Sequence, residues 1–416
     1  MQPESILTTI QHLQKRENPM SIQSAERVDV VSLTDAVRPH LDDVRARARA
    51  TENARQQTPE TIELIKELGL VRALVPKVYG GLEHDVYDWL QALRLLSTAD
   101  MSAGWVAGLA SAHSFVITKF DKRVQDEIWG ELGPDAIVSS ATALFDDGIA
   151  QPTDGGYTLS GRWRFASGIT AADWVMALIK VPVADSGEHA PYWALIPKSD
   201  FTIDDTWRVS GMRGSGSHDF TVDNIFIPDY RLGGPGLAVE PTDGPLYDNP
   251  LYTLPFLVIF PIIFAPVAVG GAEAAVELFR TQLATRKAAL SGVPLKNSAL
   301  SQVRLAEAAM RTRAMVALIE KRWQDVADHV RDNRTIDPDL AMWWRVDDAY
   351  VGHEAVRIAE HIIEGAGASI YYEKDVLQRF WRDLHSVGGH THFNTDSAMQ
   401  ILGRHLLDLE PDPTLI

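Results

Sequence analysis

GRWRFASG, residues 161–168, lies among short runs of β-branched and aromatic residues that Gly, Pro, Asp and Ser separate at short spacing. Runs of this kind, bounded by turn residues, are typical of β-strands. They occupy residues 157–159, 174–183, 192–196 and 220–227. We therefore predict an all-β domain over residues 136–235, followed by a Gly- and Pro-rich linker at residues 236–250.

Helical patterns flank this segment on both sides. Thr58-Pro59-Glu60 has the cap, first-turn proline and first-turn acid of a helix start. The small apolar residues 102–119 indicate a helix that is packed on several sides. Further on, apolar residues step by threes and fours along one long helix: Leu305, Ala309, Thr312, Val316, Ile319, Trp323, Val326 and Val330.

The order of these patterns predicts a mainly α protein with a β-domain insert. We place an N-terminal helical domain at residues 26–135 and a C-terminal helical bundle at residues 251–416. Residues 1–25 are polar and weakly patterned, so we interpret them as a loose extension. The apolar seam from Leu305 to Val330 is too long for one small domain to cover alone, and a seam of this length usually meets other helices in a bundle or at a subunit interface.

Composition excludes several classes of protein. The 416 residues include 39 Lys and Arg against 56 Asp and Glu, a net charge of −17, so we expect neither a nucleic-acid nor a membrane partner. The absence of cysteine excludes disulfides, thiolate metal sites and cysteine nucleophiles. The apolar residues 251–275 contain three prolines and Glu273, and we expect a buried core helix there rather than a membrane span. The N-terminus has no apolar segment behind basic residues, so we expect a cytoplasmic protein.

Two motifs of the β segment resemble a known family. The first is GRWRFASG at residues 161–168, continued by Ala172-Asp173-Trp174. The second is GMRGSGSHD at residues 211–219, continued by VDNIFIP at residues 222–228. Both resemble the flavin-contacting strands of the acyl-CoA dehydrogenase superfamily.

C-terminal motifs resemble one branch of that superfamily. They are Arg382-Asp383-Leu384-His385 with His390, and the ending EPDPT at residues 410–414. They are similar to those of the two-component flavin-dependent monooxygenases. This branch holds the oxygenase components of hydroxyphenylacetate hydroxylase, steroid-ring hydroxylases and dibenzothiophene monooxygenase. The resemblance covers the chain from about Leu33 to the C-terminus.

The resemblance implies both a fold and a reaction. The fold is acyl-CoA dehydrogenase-like, with an N-terminal helical domain, a central β-barrel or sandwich and a C-terminal helical bundle. The protein would take reduced FMN or FAD, with FMN preferred, and O₂. It would hydroxylate or epoxidise an aromatic substrate such as a phenol, an indole or a polycycle through a C4a-hydroperoxyflavin. The family typically forms a dimer of dimers, which together with the apolar seam predicts a homotetramer.

No nicotinamide-nucleotide site is evident, because no Gly-x-Gly-x-x-Gly follows a strand. Reduced flavin must then come from elsewhere, which predicts a separate NAD(P)H:flavin reductase as partner.

One residue that the dehydrogenases need is missing. They remove a proton from the thioester with a glutamate, which many of them carry in a Glu-Gly-Thr-like turn of the C-terminal bundle. The corresponding residues 390–396 are HTHFNTD, without a glutamate, and proton abstraction there has no general base. Glu364-Gly365 lies upstream of Arg382, and we interpret it as a helix end. Two alternatives stay open: an acyl-CoA dehydrogenase or nitroalkane-type oxidase, and a non-catalytic helical assembly protein.

The resemblance assigns flavin contacts to five residues. Phe165 falls where a Trp flanks the isoalloxazine ring in the dehydrogenases. Ser167 falls where a Thr hydroxyl approaches N5 and O4, from which it would steady the C4a-hydroperoxide. Ser215 and Ser217 lie in a Gly/Ser loop that would cover a phosphate, and Arg286 resembles an arginine that reaches the flavin from a neighbouring subunit. Without the resemblance, Phe165 could equally be a strand core residue and Arg286 an ordinary surface arginine. Ser167 and the Gly/Ser loop could equally lie in turns.

Histidines supply the candidate catalytic groups. By the resemblance, His113 faces the substrate, although a lone histidine on an apolar helix is usually a core residue. His390 is predicted to orient a phenol or an indole N–H and to take its proton, since an imidazole pKa of about 6.5 suits a base at neutral pH. His385, His390 and His392 also cluster with Asp396, as metal ligands do. We predict no metal, because His385 and His392 would share a helix face that excludes His390.

Overall fold

The computed structural model describes residues 32–142, 148–183, 187–234 and 246–410. The predicted N-terminal extension, most of the predicted linker and residues 411–416 lie outside the described residues. From Leu33 onward the chain forms one unit. The predicted domain limits stay predictions, and the elements below are given as the structure has them.

In the described part of the chain, six α-helices precede the sheet. They are α1 (Leu33–Val37), α2 (Leu41–Ala54), α3 (Pro59–Glu67), α4 (Val86–Ser97), α5 (Met101–Ile117) and α6 (Lys122–Gln125). α3 starts as predicted, because the Thr58 side chain accepts the backbone N–H of Thr61. α5 is buried along its whole length, since its small and apolar side chains leave no polar face for solvent.

Eight strands form one mixed sheet, and they confirm the all-β insert. They are β1 (Val138–Ala141), β2 (Ile149–Thr153), β3 (Gly156–Ala166), β4 (Trp174–Pro182), β5 (His189–Pro197), β6 (Thr202–Asp204), β7 (His218–Pro228) and β8 (Leu232–Gly233). The order is β6-β7-β3-β2-β4-β5-β8, and β1 pairs with β4 in parallel. Trp163 and Phe220 stack in its core, with ring centroids 5.2 Å apart.

Six further α-helices follow the sheet within the described residues. They are α7 (Phe256–Ile259), α8 (Phe264–Thr285), α9 (Ala299–Arg331), α10 (Pro338–Ala366), α11 (Val376–Gly388) and α12 (Thr395–Leu406). The segment Phe256–Thr285 is long and apolar enough to cross a membrane, but 78% of its most apolar window is buried inside the protein. It is therefore a core helix, as predicted, and the helix–sheet–helix order is confirmed.

The apolar seam of α9 is largely covered within the chain. Thr312, Ile319, Trp323 and Val326 are buried as their spacing predicts, whereas Ala309 is exposed. The covering helices are α4, α8 and α10, which all contact α9. Of the two partners expected for the seam, other helices of the same chain therefore provide most of the covering surface, and the homotetramer stays a prediction.

Candidate active site

His113 and Ser140 form a hydrogen-bonded pair where α5 meets β1. His113 Nδ1 lies 2.6 Å from the carbonyl oxygen of Val138, and His113 Nε2 lies 2.8 Å from Ser140 Oγ. Because a carbonyl oxygen only accepts, Nδ1 carries the proton, and Nε2 of the neutral ring accepts the Ser140 hydroxyl. Burial lowers the pKa of His113 to about 4, so the ring is neutral at pH 7. The Ser140 oxygen keeps lone pairs that can accept another hydrogen bond.

His390 has the opposite hydrogen-bonding arrangement. It caps the short 3₁₀ helix Thr391–Phe393, and its Nδ1 accepts the backbone N–H of His392 at 3.2 Å. Burial, aided by the positive charge of Arg345, lowers the pKa of His390 to about 4. Because Nδ1 of this neutral ring is an acceptor, Nε2 carries the proton. His390 can therefore donate a hydrogen bond from Nε2 but cannot take up a proton there.

Aromatic rings occupy the space between the two histidines. Phe260 stacks on His113 with ring centroids 5.6 Å apart, and Phe264 lies 4.5 Å from His390. Trp105 lies 4.9 Å from Phe264 and 5.4 Å from His390. We call Trp105, Phe260 and Phe264 the aromatic wall. It suits a planar apolar substrate, because aromatic rings pack favourably face-offset or edge-on at these separations.

A line of hydroxyl groups connects the aromatic wall with the Gly/Ser loop. Trp105 Nε1 donates to Ser167 Oγ at 3.1 Å. Ser167 Oγ lies 2.7 Å from Ser217 Oγ, which in turn lies 2.7 Å from Ser215 Oγ. Ser215 and Ser217 are buried, whereas Ser167 is half-buried. The Ser167 hydroxyl is therefore fixed in position beside the wall and is still accessible to a ligand.

Phe165 lies at a break in the sheet next to this line. The register of β3 and β7 shifts between Trp163 and Ala166, which makes a β-bulge. At the bulge Phe165 has φ +68°, and it is 55% exposed. A bulky residue in the left-handed region costs about 1–3 kcal/mol and points to a functional constraint. Phe165 is therefore not the strand core residue that the sequence alone allowed.

These groups fit a flavin. A flavin needs a flat apolar surface and hydrogen-bonding groups for its ring heteroatoms. The exposed ring of Phe165 offers the surface, with Trp207 edge-on at 6.3 Å behind it. The anchored hydroxyl of Ser167 offers the hydrogen-bonding group. The donor chemistry of the site thus agrees with the predicted cofactor.

The other predicted flavin contacts are arranged differently. Arg286 follows α8 and pairs within its own chain, with Nη2 3.1 Å from Asp375 Oδ2 and Nη1 donating to the carbonyl of Ala366 at 3.3 Å. Ser215 and Ser217 use their hydroxyls in the line described above, and the backbone N–H groups of Ser215 and Gly216 donate to the carbonyls of Met212 and Arg213. The flavin contacts of these three residues stay predictions.

The C-terminal histidines do not converge on one point. His385 Nε2 lies 2.6 Å from Glu360 Oε1, and His392 Nε2 lies 2.7 Å from Asp348 Oδ2. Since α11 ends at Gly388, His385 and His392 do not share a helix face as expected from their spacing. Among residues 32–142, 148–183, 187–234 and 246–410, no group of three or more His, Cys, Asp or Glu side chains could hold a metal ion.

Ser140 and the aromatic wall were not predicted from the sequence. Ser140 lies in a four-residue strand that carries no motif, and the wall residues lie in stretches that were interpreted as core. One signal was available for Trp105, which precedes His113 by eight residues. That spacing leaves both side chains on one face of a helix.

Family models match both helical parts of the chain. The acyl-CoA dehydrogenase N-terminal domain matches residues 31–129, and the acyl-CoA dehydrogenase C-terminal domain matches residues 262–395. The p-hydroxyphenylacetate 3-hydroxylase oxygenase component of Acinetobacter baumannii is 32% identical, over 94% of this chain and 92% of that protein. The FADH(2)-dependent resorcinol hydroxylase oxygenase component of Rhizobium sp. is 30% identical, over 94% of this chain and 97% of that protein.

Solved structures are similar over nearly the whole chain. The HsaA monooxygenase from M. tuberculosis superimposes with a TM-score of 0.82 at 28% identity, covering 92% of this chain and 99% of that one. XiaF from Streptomyces sp., solved in complex with FADH2 and glycerol, superimposes with a TM-score of 0.84 at 26% identity, covering 91% and 96%.

Proposed function

Because the chain belongs to the acyl-CoA dehydrogenase family, in its branch of flavin-dependent monooxygenase oxygenase components, we propose that it hydroxylates or epoxidises an aromatic substrate with reduced flavin and O₂. The main supporting observation is that the two neutral histidines beside the aromatic wall are opposite tautomers. The proton is on Nδ1 in His113 and on Nε2 in His390. In the described structure no carboxylate hydrogen-bonds to His113, Ser140 or His390. Together with the lack of a glutamate in residues 390–396, this speaks against the dehydrogenase alternative.

Residues of β3 and of the Gly/Ser loop would hold the flavin. When bound, reduced flavin reacts with O₂ and supplies the oxygen atom that the substrate takes up. Phe165 would lie against the ring system, and Ser167 would hydrogen-bond to it from a position that Trp105 and Ser217 fix. With flavin covering the exposed ring of Phe165, the buried rings of Trp105 and Phe264 would help to exclude water, which suppresses side reactions.

Ser140 would receive the proton that the substrate loses. A phenol O–H or an indole N–H that donates to Ser140 Oγ is one further hydrogen bond from His113 Nε2. When the neighbouring ring carbon takes up oxygen, this proton becomes strongly acidic, because the substrate oxygen or nitrogen becomes positively charged. A weakly basic His113 then suffices to take it through the Ser140 hydroxyl.

His390 would have a different role from the one predicted from the sequence. Because its Nε2 carries the proton, we propose that His390 donates a hydrogen bond to the substrate and fixes its orientation. We predicted from the sequence that His390 removes the substrate proton. We now propose that Ser140 and His113 remove it. His390 is thus a donor in the neutral state over the whole physiological pH range.

We extend the proposal to the partners. A separate NAD(P)H:flavin reductase would supply the flavin, and four copies of the chain would assemble, with Arg286 of each copy completing a neighbouring flavin site. We expect the reaction to take place in the cytoplasm, where nicotinamide nucleotides are available to the reductase. Both reduced FMN and reduced FAD suit the residues described, with FMN as our first choice.

The test of this function uses no reductase. Protein would be mixed anaerobically with chemically reduced FMN or FAD, and then with O₂ and a phenol or indole, while hydroxylated product and hydrogen peroxide are measured. We expect a protein that purifies almost colourless and forms product with one of the two flavins. A tightly bound yellow flavin that an acyl-CoA bleaches would instead show a dehydrogenase.

A further inference from the structure

A recess lies beside His392, two residues from His390. It encloses about 260 Å³ of empty space, part of which is open solvent. Leu257 and Pro261 line it from the segment that carries Phe260 of the aromatic wall, and Trp344 lines it from α10. Even without its open-solvent part, the recess has room for more than one water-sized group, so a carboxylate fits inside.

The two arginines of this recess differ in how far acidic side chains neutralise their charge. Arg322 is 3% exposed and pairs with Asp348, whose second oxygen lies 2.7 Å from His392 Nε2. Asp347 also attracts Arg322, whose pKa burial lowers to about 9, so Arg322 remains charged at pH 7. Arg345 differs, because among the described residues no acid pairs with it.

The charge of Arg345 is therefore available for a ligand. Its Nη1 is buried without a hydrogen-bond partner, and so is Nε of Arg322. Burial alone lowers the pKa of Arg345, with no acidic neighbour opposing it. Arg345 is half-buried, and its buried nitrogen without a counter-charge is costly unless an anion satisfies it.

We propose that this recess binds the carboxylate of the aromatic substrate, with Arg345 as its main partner. The planar fork of a guanidinium matches the two oxygens of a carboxylate. The recess adjoins the aromatic wall through His392, and the substrate would span both. The ring of His392, which lines it, lies 5.3 Å from Phe264, and Phe264 lies 4.5 Å from His390. The proposal rests on the proposed function and narrows its substrate class to a phenol or indole with a short acidic side chain.

The test compares each acid with its uncharged amide. Protein with reduced FMN would be titrated anaerobically with 4-hydroxyphenylacetate and its amide, and with indole-3-acetate and its amide, by calorimetry. We expect at least one acid to bind roughly ten-fold tighter than its amide, as for a hydrogen bond to a charged group. Arg345→Gln should bring this ratio to about one without weakening binding of the amide, because only the charge interaction is lost.

Two further variants control the result. Arg331→Gln, on the same helix as Arg322, removes a charge that is 62% exposed and paired with Asp328, and should leave the ratio unchanged. Leu257→Glu places an acid on the rim at a position that is 47% exposed, so folding is not at risk, and it should abolish the preference for the acid.

Two outcomes would overturn the proposal. They are acids and amides that bind alike in both pairs, and a preference for the acid that survives both Arg345→Gln and Leu257→Glu. The proposed function would survive either outcome if the protein hydroxylates resorcinol, which carries no acid. Conversely, Arg345-dependent binding of an acid with hydrogen peroxide as the sole product would leave the anion site intact and refute the monooxygenase.

Discussion

Ser140 determines how His113 can take up a proton. Val138 fixes the proton of His113 on Nδ1, so Nε2 can take a proton only through the Ser140 hydroxyl. We expect Ser140→Ala to lower the rate of oxygen transfer by about 10², the lower end of general-base effects, and to raise hydrogen peroxide while flavin affinity stays the same. Ser114→Ala is the matched control, since this buried hydroxyl on α5 donates to the carbonyl of Ala110. Normal coupling of flavin oxidation to product in Ser140→Ala would contradict the relay.

The buried neutral state of His390 also makes the fold sensitive to acid. Its pKa is about 4 in the folded protein and about 6.5 in the unfolded chain. Between these values the unfolded chain binds more protons, so the wild type loses stability as pH falls, by about 1.4 kcal/mol per unit. His390→Gln lacks this loss. In urea unfolding, the stability difference between wild type and variant should therefore shift by about 2 kcal/mol from pH 7 to pH 5. The exposed His189→Gln is the control, and a difference independent of pH would show that His390 is not buried in its neutral form.

At the scale of the element, the bulge in β3 destabilises the strand and exposes the ring of Phe165. Glycine in a strand normally costs about 0.5–1 kcal/mol, but at φ +68° it would relieve about 1–3 kcal/mol of strain. Phe165→Gly should therefore leave the free energy of unfolding unchanged or raise it, while reduced-flavin affinity falls. Thr158→Gly, in regular pairing on the same strand, should be destabilised. Equal losses of stability in the two variants, with normal flavin binding, would refute a functional role for the bulge.

Elements were easier to predict than the side chains that meet between them. Strand β4 follows from a run of β-branched and apolar residues, and the start of α3 from Thr58 and Pro59, because these signals are local. The role of His390 was not predictable, since the tautomer depends on the backbone N–H of His392. The role of Ser140 was not predictable either, since it depends on the packing of β1 against α5.

At the scale of the whole molecule, an apolar stripe on α9 is left uncovered. Leu300, Val303 and Met310 are 83%, 55% and 59% exposed, and their spacing of three and seven places them on one face of the helix. Clustered exposed apolar surface of this kind marks an interaction site. We therefore expect copies of the chain to meet at this stripe, since the seam is largely covered by the chain's own helices.

The stripe predicts the outcome of a mass measurement. We expect light scattering to give the mass of four chains of 46.0 kDa each, and the double variant Leu300→Lys and Met310→Lys to dissociate, because it would bury charges at the contact. If Arg286 completes the flavin site of a neighbour, the dissociated variant should also bind reduced flavin more weakly. Leu132→Lys, at a position that is 53% exposed outside the stripe, is the control and should stay assembled. A wild-type chain that runs as a 46.0 kDa monomer with full hydroxylase activity would refute both the assembly and the shared site.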